Sequence, residues 1–277
     1  MTATLPTGVA YDQHHFESHP RSDHNATLMS LPRFFSPHPL PTPFVADTSF
    51  AVGEAVARHI QVLRIAVGEA LTLFDGAGGE YAATVHAIAK RDATVTLTAF
   101  DAIERESPLN ITLVQSLATA DKMDFIIQKA VELGVREIVP VAAARSTLKL
   151  DAERAEKRTQ HWQAVAVAAC EQCGRNRVPL VRPVQAFGQW LHQPRSGAAV
   201  LLHPTASQNL LGLVDGKQPI ALLIGPEGGF TEQEIAEAIQ HGVVAARLGP
   251  RILRTETAAI AAIAALSARH GDLGGLL

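Results

Sequence analysis

Two stretches near the C-terminus carry residue types at spacings that could do chemistry. The first is Gly225-Pro226-Glu227-Gly228-Gly229-Phe230, and the second runs Leu248-Gly249-Pro250-Arg251-Ile252-Leu253-Arg254-Thr255-Glu256-Thr257. Each drains from an apolar run, 222–224 or 243–248, and such a run stopping at glycine reads as a buried strand of an α/β sheet. Glycines allow a loop backbone angles and close approaches that a Cβ would block. Thr231 and Glu234 have the spacing of a capping box, which predicts a helix of about ten residues ending before Gly242. An Ala-rich helix is predicted from about Thr257 to Arg269. Glycine loops at the carboxyl ends of strands, followed by helices, form the ligand crevice of open α/β sheets. The first loop matches neither GxGxxG nor GxxxxGK[ST], so it is neither a dinucleotide fingerprint nor a P-loop. Pro226 has no N–H, and the Glu227 carboxylate would repel phosphate, so the loop suits a ligand with positive or neutral polar groups there. A tight turn with a surface glutamate is the other reading of the loop taken alone.

Taken together, GPEGGFTxxE and LGPRILRTETA resemble the SPOUT class of S-adenosylmethionine-dependent RNA methyltransferases. More closely, they resemble the ribosomal RNA small subunit methyltransferase E family, which methylates N3 of a uridine in 16S small-subunit ribosomal RNA. The segments 31–35, 59–64 and 121–134 match the same family, as do Glu171, Gln172 and Arg175, so the resemblance covers nearly all of 31–277. It implies an α/β fold: a SPOUT-type knotted parallel-sheet domain preceded by a small PUA-like β-barrel domain. The knot comes from the resemblance alone. It also implies S-adenosyl-L-methionine as methyl donor, 16S rRNA or the small ribosomal subunit as partner, a homodimer, a cytoplasmic location, and neither metal nor membrane. Donor contacts are implied at Leu202, His203, Gly225, Pro226, Glu227, Gly228, Gly229, Leu248, Gly249, Ile252, Leu253 and Thr257.

Transfer of a methyl group from a sulfonium is an in-line displacement, in which the enzyme positions two reactants and excludes water. Uridine N3 carries a proton and must lose it, so a fixed arginine would stabilise charge developing on the uracil. Arg254 is the first candidate for that role and Arg175 the second. Arg175 has a structural alternative, since a cation is favoured just past a helix end. Glu256 either accepts the proton, orients Arg254, or is simply a carboxylate at a helix start. Glu227 either holds part of the donor or braces its loop. RNA contacts are expected from Arg33, which adjoins Phe34 and Phe35, and from His59, Arg64, Lys122 and Lys129. For the last four, a solvated helix face or end is the alternative. Two other functions compete: a catalytically inactive ribosome-binding or assembly factor, and a related methyltransferase acting on another nucleotide.

The elements that must position these residues follow from the rest of the chain. Its 277 residues suffice for two modest domains, and 47% hydrophobic with 18% charged residues describes a globular protein. The net charge is −3 and no domain is a basic block, so an RNA surface has to be a local patch. Residues 1–28, with His14, His15, His19 and His24, read as a disordered extension, and Met29 is a candidate natural start. From 29 to 107 a helix at 53–63, with Val52, Val56, Ile60 and Leu63 on one face, precedes strands at 71–74, 80–88 and 94–100, which suggests a compact barrel. From 108 to 277 strands (111–117, 137–141, 178–181, 198–202) alternate with helices (122–133, 152–174 and one around Trp190), as in a parallel sheet covered by helices. Leu202, His203 and Pro204 should then line the same crevice as the glycine loops. Cys170 and Cys173 lack a second ligand pair and fall in a helix, so they are expected to be packing residues in a reducing compartment.

Overall fold

A computed structural model of the chain describes residues 31–275. The expectations for residues 1–28 and for Met29 lie outside it. The first part is a curled five-stranded sheet of β1 (Arg33–Phe35), β2 (Thr48–Ala51), β3 (Ala70–Phe74), β4 (Glu80–Ile88) and β5 (Ala93–Asp101), with α1 (Gly53–Val62) against it. The strand order is β1-β3-β4-β5-β2, so the end strands do not pair and the barrel stops short of closing. Val52, Val56 and Ile60 enter its core as the helical spacing requires, but Leu63 is 57% exposed. The helix ends at Val62, and Arg64 takes a left-handed conformation that turns the chain away. Strands β1 and β2 were not foreseen, because three or four residues show too little alternation to be read.

The second part is an eight-stranded parallel sheet: β6 (Ile111–Ser116), β7 (Glu137–Ala142), β8 (Leu180–Val181), β9 (Gln185–Ala186), β10 (Ala198–Leu202), β11 (Gln208–Asn209), β12 (Ile220–Ile224) and β13 (Val244–Arg247). Alternating side chains of its near-continuous apolar strands feed two cores, one on each face. Leu113, Val200 and Leu222 join the core built with α2 (Ala120–Glu132), α3 (Ala152–Cys173) and α7 (Thr255–His270). Val114, Leu201 and Leu223 join the core under α4 (Phe187–Leu191) and α6 (Glu232–Gln240). A short helix, α5 (Leu210–Leu213), follows β11. On α2 the buried residues Met123, Ile126, Ile127, Ala130 and Val131 recur at the helical period. The helix α3 ends where Gly174 adopts φ +85°. Burial pushes the Cys170 thiol up to about 12, and Cys170 sits in the core with Cys173 packed against it.

Strand β1 joins the two parts by its period of two. Phe34 points into the barrel core, while Arg33 and Phe35 point to the other side. Phe35 and Phe74 pack together at a ring separation of 5.6 Å and reach the core of the parallel-sheet domain. The Arg33 guanidinium lies 4.9 Å from the Phe74 ring, pairs with Glu80, and donates to Asn176 Oδ1 at 2.8 Å. Arg33 is thereby a structural latch instead of the RNA contact expected. Glu80 also accepts from Arg105 at 3.0 Å. Burial raises the Glu80 pKa, but hydrogen bonds and charges from Arg105 and Arg33 outweigh it and hold the carboxyl below its usual range.

Arg175 requires the same correction. Its side chain is 4% exposed, pairs with Glu106 at 2.5 Å, and donates to the carbonyls of Val131 and Val135 at 2.8 and 3.0 Å. The guanidinium ties the end of α2 to the interdomain linker and is not available to a substrate. Arg175→Ala would leave the half-buried Glu106 carboxylate without its ion pair and strip a donor from the Val131 and Val135 carbonyls. We expect a loss of about 3–5 kcal/mol in urea-induced unfolding, the range for breaking a buried pair. Unchanged stability with lost turnover would return Arg175 to the catalytic machinery.

Candidate active site

The strand order creates the site. Strand β10 lies between β12 and β13, so the chain leaves β12 on one side of β10 and arrives at β13 on the other. It must then come back for α7 to pack on α2 and under β6 and β12. Two loops consequently converge at the carboxyl ends of the strands, 225–230 on the way out and 248–254 on the way back. Between them and residues 202–204 after β10 is a cavity of about 470 Å³, a size usual for small-molecule sites.

Thr255 fastens the two loops together. Its buried hydroxyl donates to the Gly225 carbonyl at 2.7 Å and accepts from the Gln115 amide nitrogen at 3.0 Å. This joins the first loop, the start of α7 and the end of β6 at one atom. The predicted start of that helix was two residues late: α7 begins at Thr255, with Arg254 at the N-cap. Thr257 is therefore carried to an exposed position outside the cavity, and Thr255 and Ala258 line it instead. The identity of the lining threonine was hidden because Thr-Glu-Thr offers two equivalent-looking starts.

The first loop is rigidly built. A Cβ on Gly225 would lie 3.1 Å from the Phe230 ring and 3.3 Å from the Phe230 backbone nitrogen, so glycine lets Phe230 pack this close without shifting. The capping box forms as expected, with Thr231 Oγ1 accepting from the Glu234 N–H and Glu234 accepting from the Thr231 N–H. The other carboxylate oxygen of Glu234 accepts from the Ala144 N–H at 2.8 Å, and Arg145 donates to the Gly228 carbonyl at 3.0 Å. Glu227 braces the loop. Its oxygens accept from the Thr147 hydroxyl at 2.9 Å and the Thr119 N–H at 3.4 Å, and the Lys122 ammonium is 3.3 Å away. Burial raises its pKa, but these hydrogen bonds and its own N–H prevail and lower it.

Lys122 also lies 3.5 Å from Glu256, so it stands between the first loop and the start of α7. That places Lys122 at the cavity. Glu256 does not line the cavity and approaches it through Lys122. Of the implied donor contacts, Leu202, His203, the loop residues 225–229, Leu248, Gly249, Ile252 and Leu253 all line the cavity, and so does Arg254. Pro204 lines it as its place after the strand requires, and Arg145 and Arg251 line it without having been foreseen. For Arg145 only the strand order, which sets residues distant in sequence side by side, reveals it. Arg254 is exposed at the rim and has no hydrogen-bond or ion-pair partner among the described residues. His59 and Arg64 are exposed on the barrel, away from the cavity lining, and Lys129 pairs with Glu132 on α2 at 2.7 Å.

These residues fit the methyl donor implied by the sequence. Leu202, Leu248 and Leu253 give apolar walls for a purine, and Gly249 holds φ +70° where the return loop turns. Among the described residues, no hydrogen bond engages the backbone N–H groups of Ile252 and Leu253, which leaves them for a ligand's polar edge.

The chain matches two family descriptions: an RNA methyltransferase domain over residues 105–267 and an RNA methyltransferase PUA domain over residues 52–98. It is 33% identical over 215 residues to the ribosomal RNA small subunit methyltransferase E of Buchnera aphidicola from Acyrthosiphon pisum, covering 76% of this chain and 84% of the relative. The Bacillus subtilis protein of that name is 32% identical over 231 residues, 80% of this chain and 90% of the relative. Among solved structures, ribosomal RNA small subunit methyltransferase E of Neisseria gonorrhoeae bound to S-adenosyl methionine superposes with a TM-score of 0.82 at 40% identity, covering 88% of this chain and 99% of that one. A methyltransferase of Legionella pneumophila in complex with the same cofactor gives 0.81 at 36% identity, with 87% and 99% covered. A matched methyltransferase domain, a PUA domain before it and a donor-shaped cavity between the glycine loops agree: the chain belongs to the ribosomal RNA small subunit methyltransferase E family.

Proposed function

We propose that the protein transfers a methyl group from S-adenosyl-L-methionine to N3 of a uridine in 16S ribosomal RNA. The observation that carries this reading is Arg254: a guanidinium with no partner among the described residues, at the rim of a cavity whose walls suit the donor. When bound, the donor supplies an electrophilic methyl on a sulfonium. Leu202, Leu248, Leu253 and the backbone of 249–253 hold its purine end, and the braced loop 225–230 fixes its orientation. Arg254 accepts the uracil at the rim and stabilises negative charge on the ring as N3 gives up its proton. Glu256 is held against Lys122 and, among the described residues, makes no ion pair with Arg254. Outside the cavity lining, Glu256 acts on the site through Lys122 instead of touching the arginine or the uracil. His59 and Arg64, exposed on the barrel, are the RNA contacts we retain there. We also infer a homodimer, supported by the 83% exposure of Ile252 at the lip of the donor cavity. An apolar side chain so exposed beside a binding site is a natural contact for a second copy.

The reading is tested by transfer of labelled methyl to small subunits from cells lacking the activity, with the product nucleoside identified by mass. We expect 3-methyluridine at one site; donor binding without labelled RNA would favour the ribosome-binding factor. Arg254→Ala should cut turnover about 10²–10³-fold, as for loss of one donor to a developing anion, with donor affinity unchanged. Wild-type turnover in this variant would remove Arg254 from the mechanism. Thr255→Val keeps the shape but unpairs the Gly225 carbonyl and the Gln115 amide, and should cost about 1–3 kcal/mol of stability together with donor affinity by calorimetry. Sedimentation equilibrium should show a dimer that Ile252→Asp weakens, and a wild-type monomer at all concentrations would refute that part.

A further inference from the structure

Away from the donor cavity, three potential ligands meet where two helices end. Glu237 and His241 are one turn apart at the C-terminal end of α6, and His192 immediately follows α4. One ligand atom from each lies within 4.8 Å of the others. The two imidazole rings are 4.4 Å apart between centroids, inclined at 59°. We propose that His192, Glu237 and His241 form a binding site for a divalent transition metal of the zinc class, with water completing the coordination.

Three features favour a cation here. First, the donor set of two imidazoles and one carboxylate suits zinc and its neighbours, and three protein ligands with one open position is a common arrangement. Second, His192 is already oriented: its Nδ1 lies 2.7 Å from the Gly188 carbonyl, which can only accept, so Nδ1 carries the proton and Nε2 is left for a metal. Third, Glu237 and His241 sit at the C-terminal end of α6, the end of a helix dipole that favours a cation. Tetrahedral ligands at about 2.1 Å from zinc stand about 3.4 Å apart, so closure requires small rotations of side chains that are exposed or half-buried. One group opposes the ion. Arg195 donates to the carbonyls of Leu191 and His241 at 2.8 and 2.6 Å, and its guanidinium packs 4.8 Å from the Trp190 ring. Its charge holds the affinity to that of an exchangeable site.

The consequence is mechanical. Helix α6 spans nine residues, about 13 Å, from the Thr231 cap beside the first donor loop to this cluster. Phe187, at the start of α4, stacks 4.7 Å from Phe230 of that loop. A metal joining the ends of α4 and α6 would clamp two elements that support the loop. No metal was expected from the sequence, where His192 lies 45 residues before Glu237.

The test is a Co²⁺ titration of the full chain followed by visible absorption. The histidines of residues 1–28 are the same in every sample, so the comparison is between wild type and variants. His192→Ala and His241→Ala should each remove one equivalent of Co²⁺ together with its visible band, and Glu237→Gln should weaken that equivalent at least tenfold. Zn²⁺ should raise the Tm of the wild type more than that of either histidine variant. Equal stoichiometry in wild type and both histidine variants would overturn the site, and an unaltered affinity in Glu237→Gln would overturn the three-ligand assignment.

Discussion

The active site depends on one hydroxyl. Thr255 holds the outgoing and returning loops together through Gly225 and anchors both to β6 through Gln115. Without that junction, nothing in the sheet obliges the return loop to close over the end of β10. The parallel ladder fixes β12 and β13 on opposite sides of β10, but a ladder positions strands and not the loops beyond them. Hydrogen bonds buried at a junction are worth little net when made and much when broken, because the unpaired groups have no water to turn to. The cavity is thus specified by the penalty for opening it.

A second tier of contacts works the same way through charge. Glu227, Lys122 and Glu256 form a chain of alternating sign from the first loop to the start of α7. The lowered pKa of Glu227 keeps its carboxylate ionised at neutral pH, so the brace persists there. With Glu227 committed to Thr147, Thr119 and Lys122, the donor must be held mainly by shape and backbone groups. That division leaves the guanidinium groups of Arg251 and Arg254, neither with a side-chain partner among the described residues, as the charged groups open at the rim.

Much of this was legible in the sequence, and the arginines whose place was not share one cause. Apolar runs, the Thr231–Glu234 box and the Gly174 stop are local, so their elements appeared within a residue or two. The glycine loops and most of their donor contacts were equally plain, since one segment carries them. The sequence could not show the roles of Arg33 and Arg175, because an arginine's role is set by its partners, and Asn176 and Glu106 lie across the domain junction from them. Conjunction with aromatic residues made Arg33 look like a nucleic-acid contact, whereas Phe35 and Phe74 are the packed seam beneath it. Arg145 reached the cavity unseen for a related reason: only the contact between the end of β7 and the Gly228 carbonyl brings it there.

The junction also explains why so many ionic groups are buried between the barrel and the sheet. Exposed pairs contribute little and are screened by salt, whereas Arg33 and Glu80 are nearly covered, with Arg33 also donating to Asn176 and Glu80 also accepting from Arg105. A purely apolar seam would hold the two parts at least as tightly but would tolerate several orientations. Bidentate and shared hydrogen bonds fix one. An enzyme that reads RNA with one part and transfers a methyl group with the other needs that orientation held, because misplacing the acceptor by about 1 Å can cost 10²-fold in rate. The polar seam thus fixes one orientation of the barrel against the sheet that carries Arg254.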